Sequence, residues 1–180
     1  MKDKEIELKF KITNDQRQRI IQDLEKIAEK KGTSHQIDTY YIPNFREFEK
    51  DGKTIECVRI RETHKGAVLC YKHIHYEAQV YCDEYETKVE SKEQIEKILF
   101  ALGFSVQMVI DKTRESWEYK NFEFDFDTVK NLGELMEVEL ESEDASAEEI
   151  YEWVSKYGLS EKDVTYEGIQ LLMKKAMGEV

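Results

Sequence analysis

The sequence predicts an α+β fold: about eight antiparallel strands in hairpin order, with helices inserted between them and appended at the end. Three observations carry this expectation. Apolar and charged residues alternate with period two in segment after segment. Stretches of helical periodicity, introduced by capping residues, interrupt those segments. Several neighbouring segments are separated by turns short enough for hairpins.

The first strand runs over 4–12. In it Ile6, Leu8, Phe10 and Ile12 share one parity, and Glu5, Glu7, Lys9 and Lys11 share the other. Thr13-Asn14-Asp15 offers capping chemistry for a helix over 16–31, with Ile20, Ile21, Leu24 and Ile27 inward and Gly32 as its terminator. Residues 35–42 read as a second strand, stopped at Pro43. A polar loop follows over 44–53, and EFEKDGKTIE (residues 47–56) reads as plain loop in preference to a flap. Residues 54–62 and 67–75 form a hairpin about His64-Lys65-Gly66, and 81–90 is a fifth strand. Ser91 caps a helix over 92–102 with Ile95, Ile98 and Leu99 inward, closed by Gly103. Residues 104–119, 122–127 and 133–141 are strands, the first two joined by a turn at Lys120-Asn121. Helices are expected over 146–158 and about 167–177. In the former, Ile150, Trp153, Val154 and Tyr157 share a face that covers the apolar side of the strands, in preference to forming a dimer contact.

Composition bounds the function. The length of 180 residues fits a single domain over 1–180. With 40% hydrophobic residues, ten Tyr, eight Phe and two Trp, the chain has the means to bury a core. A net charge of −12 argues against nucleic acid or an anionic membrane as partner, yet leaves room for a small anion in a local basic pocket. No apolar run reaches the roughly 20 residues of a membrane span. MKDKEIELKF has no signal-peptide core, and Cys57, Cys70 and Cys82 lack metal-type spacing. A cytoplasmic protein with free thiols is expected, as a monomer or homodimer.

The polar parity of the strands is unusual. Glu5, Glu7 and Lys9 lie opposite the apolar set of the first strand; Arg59 and Arg61 lie opposite Val58 and Ile60. Lys72 shares a parity with Cys70. Glu84, Glu86 and Lys88 oppose Tyr85, Thr87 and Val89. Lys112 and Arg114 share a parity, as do Asp125 and Asp127, and Glu137 and Glu139. Like charges two residues apart on one face repel, the more so where water is scarce. A polyphosphate with divalent cations would supply partners for both signs. Closing eight antiparallel strands into a barrel would turn these faces inward and leave the apolar faces outward, under the helices.

These residues fall into an ordered pattern that resembles the CYTH superfamily, the triphosphate tunnel metalloenzymes. Glu5-Ile6-Glu7-Leu8-Lys9 resembles the family's ExExK signature. Asp38-Thr39-Tyr40-Tyr41, Arg59-Ile60-Arg61, Lys72, Glu84-Tyr85-Glu86, Lys112-Thr113-Arg114, Asp125-Phe126-Asp127 and the segment from Leu132 to Glu139 continue it, with Tyr166-Glu167 near the end. DTYYIPNFREF followed by RIR is most similar to the class IV adenylyl cyclase branch. The chain departs from the family's ALRIR in reading Glu56-Cys57-Val58-Arg59. The resemblance implies a closed eight-stranded antiparallel β-barrel, its lumen a charged tunnel, with helices packed outside. It implies that Lys9, Arg59, Arg61, Lys72, Lys88, Lys112 and Arg114 hold phosphate oxygens. Glu5, Glu7, Asp125, Asp127, Glu137 and Glu139 would bind Mg²⁺ or Mn²⁺, with Glu84 or Glu86 as further ligands or lysine-orienting partners. Glu5, Glu7, Lys9 and Lys72 would form the catalytic set.

The expected activity is metal-dependent hydrolysis of a triphosphate such as ATP, thiamine triphosphate or tripolyphosphate. The alternatives are cyclisation of ATP to cyclic AMP and pyrophosphate, and a non-catalytic polyphosphate- or nucleotide-binding module. His73 and His75 share the strand parity opposite Lys72; without a third ligand in the local sequence they read as part of a polar outer face. The three cysteines fall on the charged parity and read as small packing residues.

Overall fold

The computed structural model describes residues 5–76, 80–141 and 146–179; the side chains of Glu5, Val80, Tyr81 and Glu141 lie outside the described set. The elements are β1 (Glu5–Ile12), α1 (Asn14–Ile27), β2 (Glu29–Pro43), β3 (Glu49–Lys50), β4 (Lys53–Thr54), β5 (Glu56–Thr63) and β6 (Gly66–Tyr76). They continue as β7 (Val80–Val89), α2 (Lys92–Ala101), β8 (Phe104–Tyr119), β9 (Phe122–Val129), β10 (Gly133–Glu141), α3 (Ala147–Ser155), a 3-10 turn (Glu161–Asp163) and α4 (Ile169–Met177). Among the described residues, eight strands form one sheet in the order β1-β10-β9-β8-β2-β5-β6-β7, and β3 pairs with β4 apart from it. The α+β class and the antiparallel sheet of eight strands are those the sequence predicts. Among the described residues, no helix is long and apolar enough to cross a membrane.

The chain divides into two compact units. The first comprises residues 1–33, 113–129 and 133–166. Antiparallel ladders join β1 to β10 and β10 to β9, so that Leu8 faces Val138 and Val138 faces Phe124. These residues, with Ile6, Phe10, Phe126 and Leu140, form one apolar sheet face, and all are buried. Ile20 and Leu24 of α1 and Ile150 and Val154 of α3 belong to the same cluster. Trp153 lies against Phe124 with ring centroids 4.3 Å apart, which places α3 over the sheet as its periodicity predicts. Each such fully buried side chain is worth about 1.5–3 kcal/mol over its exposed state. The cap of α1 is also as expected: Gln16 N–H donates to the Thr13 hydroxyl, and Thr13 N–H donates to the Gln16 side chain.

The end of α1 is not where the sequence puts it. Periodicity extends the helix to Lys31, but it stops at Ile27, which is 47% exposed, and Ala28 is already extended. Residues 29–31 are good helix formers that enter β2 instead. Lys30 reaches Glu115 at 2.7 Å and Lys31 reaches Glu118 at 2.8 Å, and these ion pairs with β8, together with the ladder, outweigh local propensity. Gly32 is therefore a strand residue and not a helix terminator.

The second unit comprises residues 34–112, 130–132 and 167–180. Its ladders run β2–β5, β5–β6 and β6–β7. Tyr41, Val58 and Ile60 pack with Phe48 and with Leu99 of α2. Ser91 caps α2 as expected, accepting from Gln94 N–H. Ile98 departs from expectation: it is 53% exposed, and Leu99 alone of the inward trio is fully buried. Gly103 closes α2 at φ +86, and a Cβ there would meet Asn44 Oδ1 at 2.8 Å. The segment read as plain loop holds the β3–β4 hairpin. Asp51 and Gly52 take φ of 52 and 73, the left-handed pair of a two-residue hairpin turn, and Phe48 and Thr54 on either side are buried.

Candidate functional site

The charged parity of the first unit forms rows across three strands. Glu7 of β1 faces Glu139 of β10, and Glu139 faces Glu123 of β9. One register step along, Lys9 faces Glu137 and Glu137 faces Asp125. The alternation that buries Ile6, Leu8 and Phe10 is what sends these residues to the other face. Arg114 of β8 enters the second row. It donates to both oxygens of Asp127 (2.7 and 2.6 Å) and also bonds to Asp125 and Glu137. Lys9 Nζ lies 2.9 Å from the other Glu137 oxygen, and the Ser116 hydroxyl donates to Asp125.

Burial raises the Asp125 carboxyl above its ordinary value, and Glu137 and Asp127 add to this against the opposing pull of Arg114 and Ser116. Arg114 remains charged, since three carboxylates outweigh its burial. Glu7, Glu139 and Glu137 are half-buried and Glu123 is exposed. The donor set is all carboxylate oxygen, which suits a hard divalent cation such as Mg²⁺ or Mn²⁺. Glu5 sits at the head of β1 opposite Glu141, its side chain outside the described set.

The second unit carries a more basic face. Asp38 of β2 faces Arg61 of β5, and Tyr40 faces Arg59; Arg59 faces Cys70 of β6, and Cys57 faces Lys72. On β7, Glu84 faces Lys72, Glu86 faces Cys70 and Lys88 faces Val68. Asp38 is fully buried and accepts two bonds of 2.8 Å from Arg61 Nε and Nη2. Burial pushes the Asp38 carboxyl up, but the Arg61 bonds and the Arg59, Arg61 and Lys112 charges outweigh it and hold it below the usual range. Lys72 lies 2.8 Å from Glu84, and Lys72 and Arg59 likewise bring the Glu84 carboxyl down against its burial.

Arg59 is held less completely than Arg61. Its guanidinium stands 3.7 Å from Asp38, 3.9 Å from Glu84 and 4.0 Å from Glu86, distances too long for hydrogen bonds. Among the described residues, its buried Nε has no hydrogen-bond partner. A buried donor of this kind is costly to leave unmade, and a phosphate oxygen is a fitting acceptor. Cys70, Glu84 and Glu86 also stand close together. Burial raises the Cys70 thiol, which donates to Glu84 at 3.1 Å, so the protonated sulfur is a poor ligand beside the carboxylates.

Within the first unit Lys9, Arg114, Asp125, Asp127 and Glu137 lie together, and within the second Arg59, Arg61 and Lys72 lie with Glu84. Lys88 is exposed, and Lys112 is buried with its charge bearing on Asp38. No local pattern gives a role to Asp38, Ser116 or Glu123. Asp38 shares the charged parity with Tyr40, but only the β2–β5 register shows that it grips Arg61.

Comparison with known proteins agrees with the residue pattern. The CYTH domain model matches residues 3–168. The PH1012 protein of Pyrococcus horikoshii OT3 is similar at 25% identity and TM-score 0.77, over 93% of this chain and 98% of that one. A candidate adenylate cyclase from Vibrio parahaemolyticus shares the fold at 18% identity and TM-score 0.72, over 97% and 99% of the two chains. So does a candidate adenylyl cyclase from Hippeastrum with a dominant triphosphatase activity, at 13% identity and TM-score 0.64, over 99% and 97%. No curated protein matches the sequence. With a family model covering almost its full length, this chain belongs to the CYTH domain family.

Proposed function

We propose that this protein is a divalent-metal-dependent enzyme that hydrolyses an inorganic or organic triphosphate, with its eight strands closing into a barrel whose charged faces line a tunnel. The observation that carries this reading is Arg59, a buried guanidinium with an unmet donor beside Arg61 and Lys72. Family membership and the rows of carboxylates on β1, β9 and β10 support it.

In this reading Lys9, Arg59, Arg61, Lys72, Lys88, Lys112 and Arg114 bind phosphate oxygens and spread the charge of the substrate. Glu5, Glu7, Glu137 and Glu139, with Asp125 and Asp127, hold Mg²⁺ or Mn²⁺. The bound ion supplies charge neutralisation and an acidified water. Asp38 and Glu84 act as positioning residues: Asp38 fixes the Arg61 fork by two hydrogen bonds, and Glu84 holds Lys72. Asp125 and Asp127 fix Arg114 in the same way. Phosphoryl transfer asks for little beyond such placement and charge.

Incubation with tripolyphosphate, thiamine triphosphate or ATP, with Mg²⁺ or Mn²⁺, tests the reading through its products. Orthophosphate is expected, and Arg59→Ala should raise KM at least about tenfold with a smaller effect on kcat, as lost ground-state binding does. Pyrophosphate with cyclic AMP from ATP would replace hydrolysis by cyclisation. Tight binding of all three without turnover would make the protein a binding module.

A further inference from the structure

The β6–β7 hairpin has a second donor set on the face opposite Lys72 and Glu84. His73 of β6 lies directly across from Asp83 of β7, and His75 follows two residues along on the same side. One ligand atom from each of His73, His75 and Asp83 falls within 4.8 Å of the other two. His75 Nε2 stands 2.9 Å from Asp83 Oδ2, and the two imidazole centroids are 4.2 Å apart with planes tilted by 42°. All three side chains are half-buried. The expectation that no third ligand stands near the histidine pair is thus corrected: Asp83 lies on the neighbouring strand and is delivered by the register of the ladder.

We propose that His73, His75 and Asp83 form a binding site for a divalent transition ion of the zinc class, separate from the carboxylate rows that suit Mg²⁺. Two imidazoles and one carboxylate are borderline ligands, preferred by Zn²⁺, Co²⁺, Ni²⁺ and Cu²⁺ over hard cations. The hydrogen bond between His75 and Asp83 accounts for those two residues but gives no role to the ring of His73 against His75. A shared cation between neutral imidazoles accounts for all three. Among the described residues, Glu56, across from His73 on β5, does not compete, because it is engaged by Arg46 and the Tyr71 hydroxyl, each at 2.7 Å. Three protein ligands leave a position for water. Because the ligands come from two strands, the ion staples β7 to β6, and its binding energy adds to the stability of the hairpin.

The experiment is Zn²⁺ titration of the full chain in excess Mg²⁺, with chelator competition and Co²⁺ as a spectroscopic probe. The expected result is one Zn²⁺ per chain retained against Mg²⁺, a melting temperature that rises with Zn²⁺, and a visible Co²⁺ absorption without a sulfur charge-transfer band. All three should be lost in His73→Ala and in His75→Ala. Asp83→Asn, which preserves shape, should weaken Zn²⁺ binding while the protein stays folded by circular dichroism. Failure of the native chain to retain Zn²⁺ in excess Mg²⁺ would overturn the proposal. So would retention undiminished in the two histidine variants, or a Co²⁺–sulfur band showing that the cysteines hold the ion.

Discussion

Asp38→Ala lowers the stability of the protein by about 3–5 kcal/mol at neutral pH, read from the urea midpoint at constant slope. Asp38 is fully buried between Arg61, which it holds at two points, and Arg59. Its removal leaves two guanidinium groups facing each other's charge in a place with little water. The pH dependence follows from the carboxyl's depressed value. The folded state favours the ionised form, so the stabilisation is complete above the ordinary carboxylate value of 3.8 and drains away as pH falls through the lower folded value. The variant should therefore show a shallower loss of stability in acid. Asp125 has the opposite sign: its raised value favours folding when protonated, a contribution that is full below 3.8 and lost as pH rises through the folded value. It offsets part of the Asp38 effect, and a melt series on Asp38→Ala against Asp125→Asn separates the two. If the paired arginines are a phosphate site, tripolyphosphate should stabilise Asp38→Ala more than it stabilises the native chain. Equal stabilisation would count against that role.

On the proposed function, Glu137→Gln should lower metal-dependent turnover by at least about 10²-fold, corresponding to about 2.7 kcal/mol of lost transition-state stabilisation. Glu137 contacts Lys9 through one oxygen and Arg114 through the other, at the centre of the acid rows. Glutamine keeps the shape and one acceptor oxygen but removes the charge. Arg114 retains Asp125 and Asp127, so the fold should survive with a loss of about 1.5–3 kcal/mol at most, the worth of one charged hydrogen bond. Steady-state rates beside a thermal melt decide the matter. A fully active variant would remove Glu137 from the proposed metal set, and an unfolded one would make its role structural.

Much of this molecule is legible in sequence because alternation is local. The bounds of β8 and β10 are those expected from strand-like composition and, Leu135 excepted, from alternation in β10; alternation also sets the opposed faces of β1, where Phe10 is buried and Lys9 is not. What local pattern misses is what the ladders decide. Lys30 and Lys31 belong to a strand against their own preference, because β2 pairs with β8, where they meet Glu115 and Glu118. The Asp51-Gly52 turn is a strong local signal, but its two flanking strands are too short to alternate. In the candidate site, charge type and parity picked out Arg59, Arg61, Arg114 and Glu137. The gripping role of Asp38 and the approach of Asp83 to His75 depend on register between strands, which no spacing within one strand reveals.

The segment after α3 returns to β1. Val164 bridges Phe10, and Thr165 N–H donates to the Lys9 carbonyl at 2.8 Å. At this end of β1, a strand that ends the sheet order, the return segment occupies backbone that a stray chain could otherwise pair with. The return segment acts as a selvedge that keeps this border from fraying or recruiting neighbours. Shortening the chain before Val164 would bring self-association into view even where catalysis-related residues are untouched.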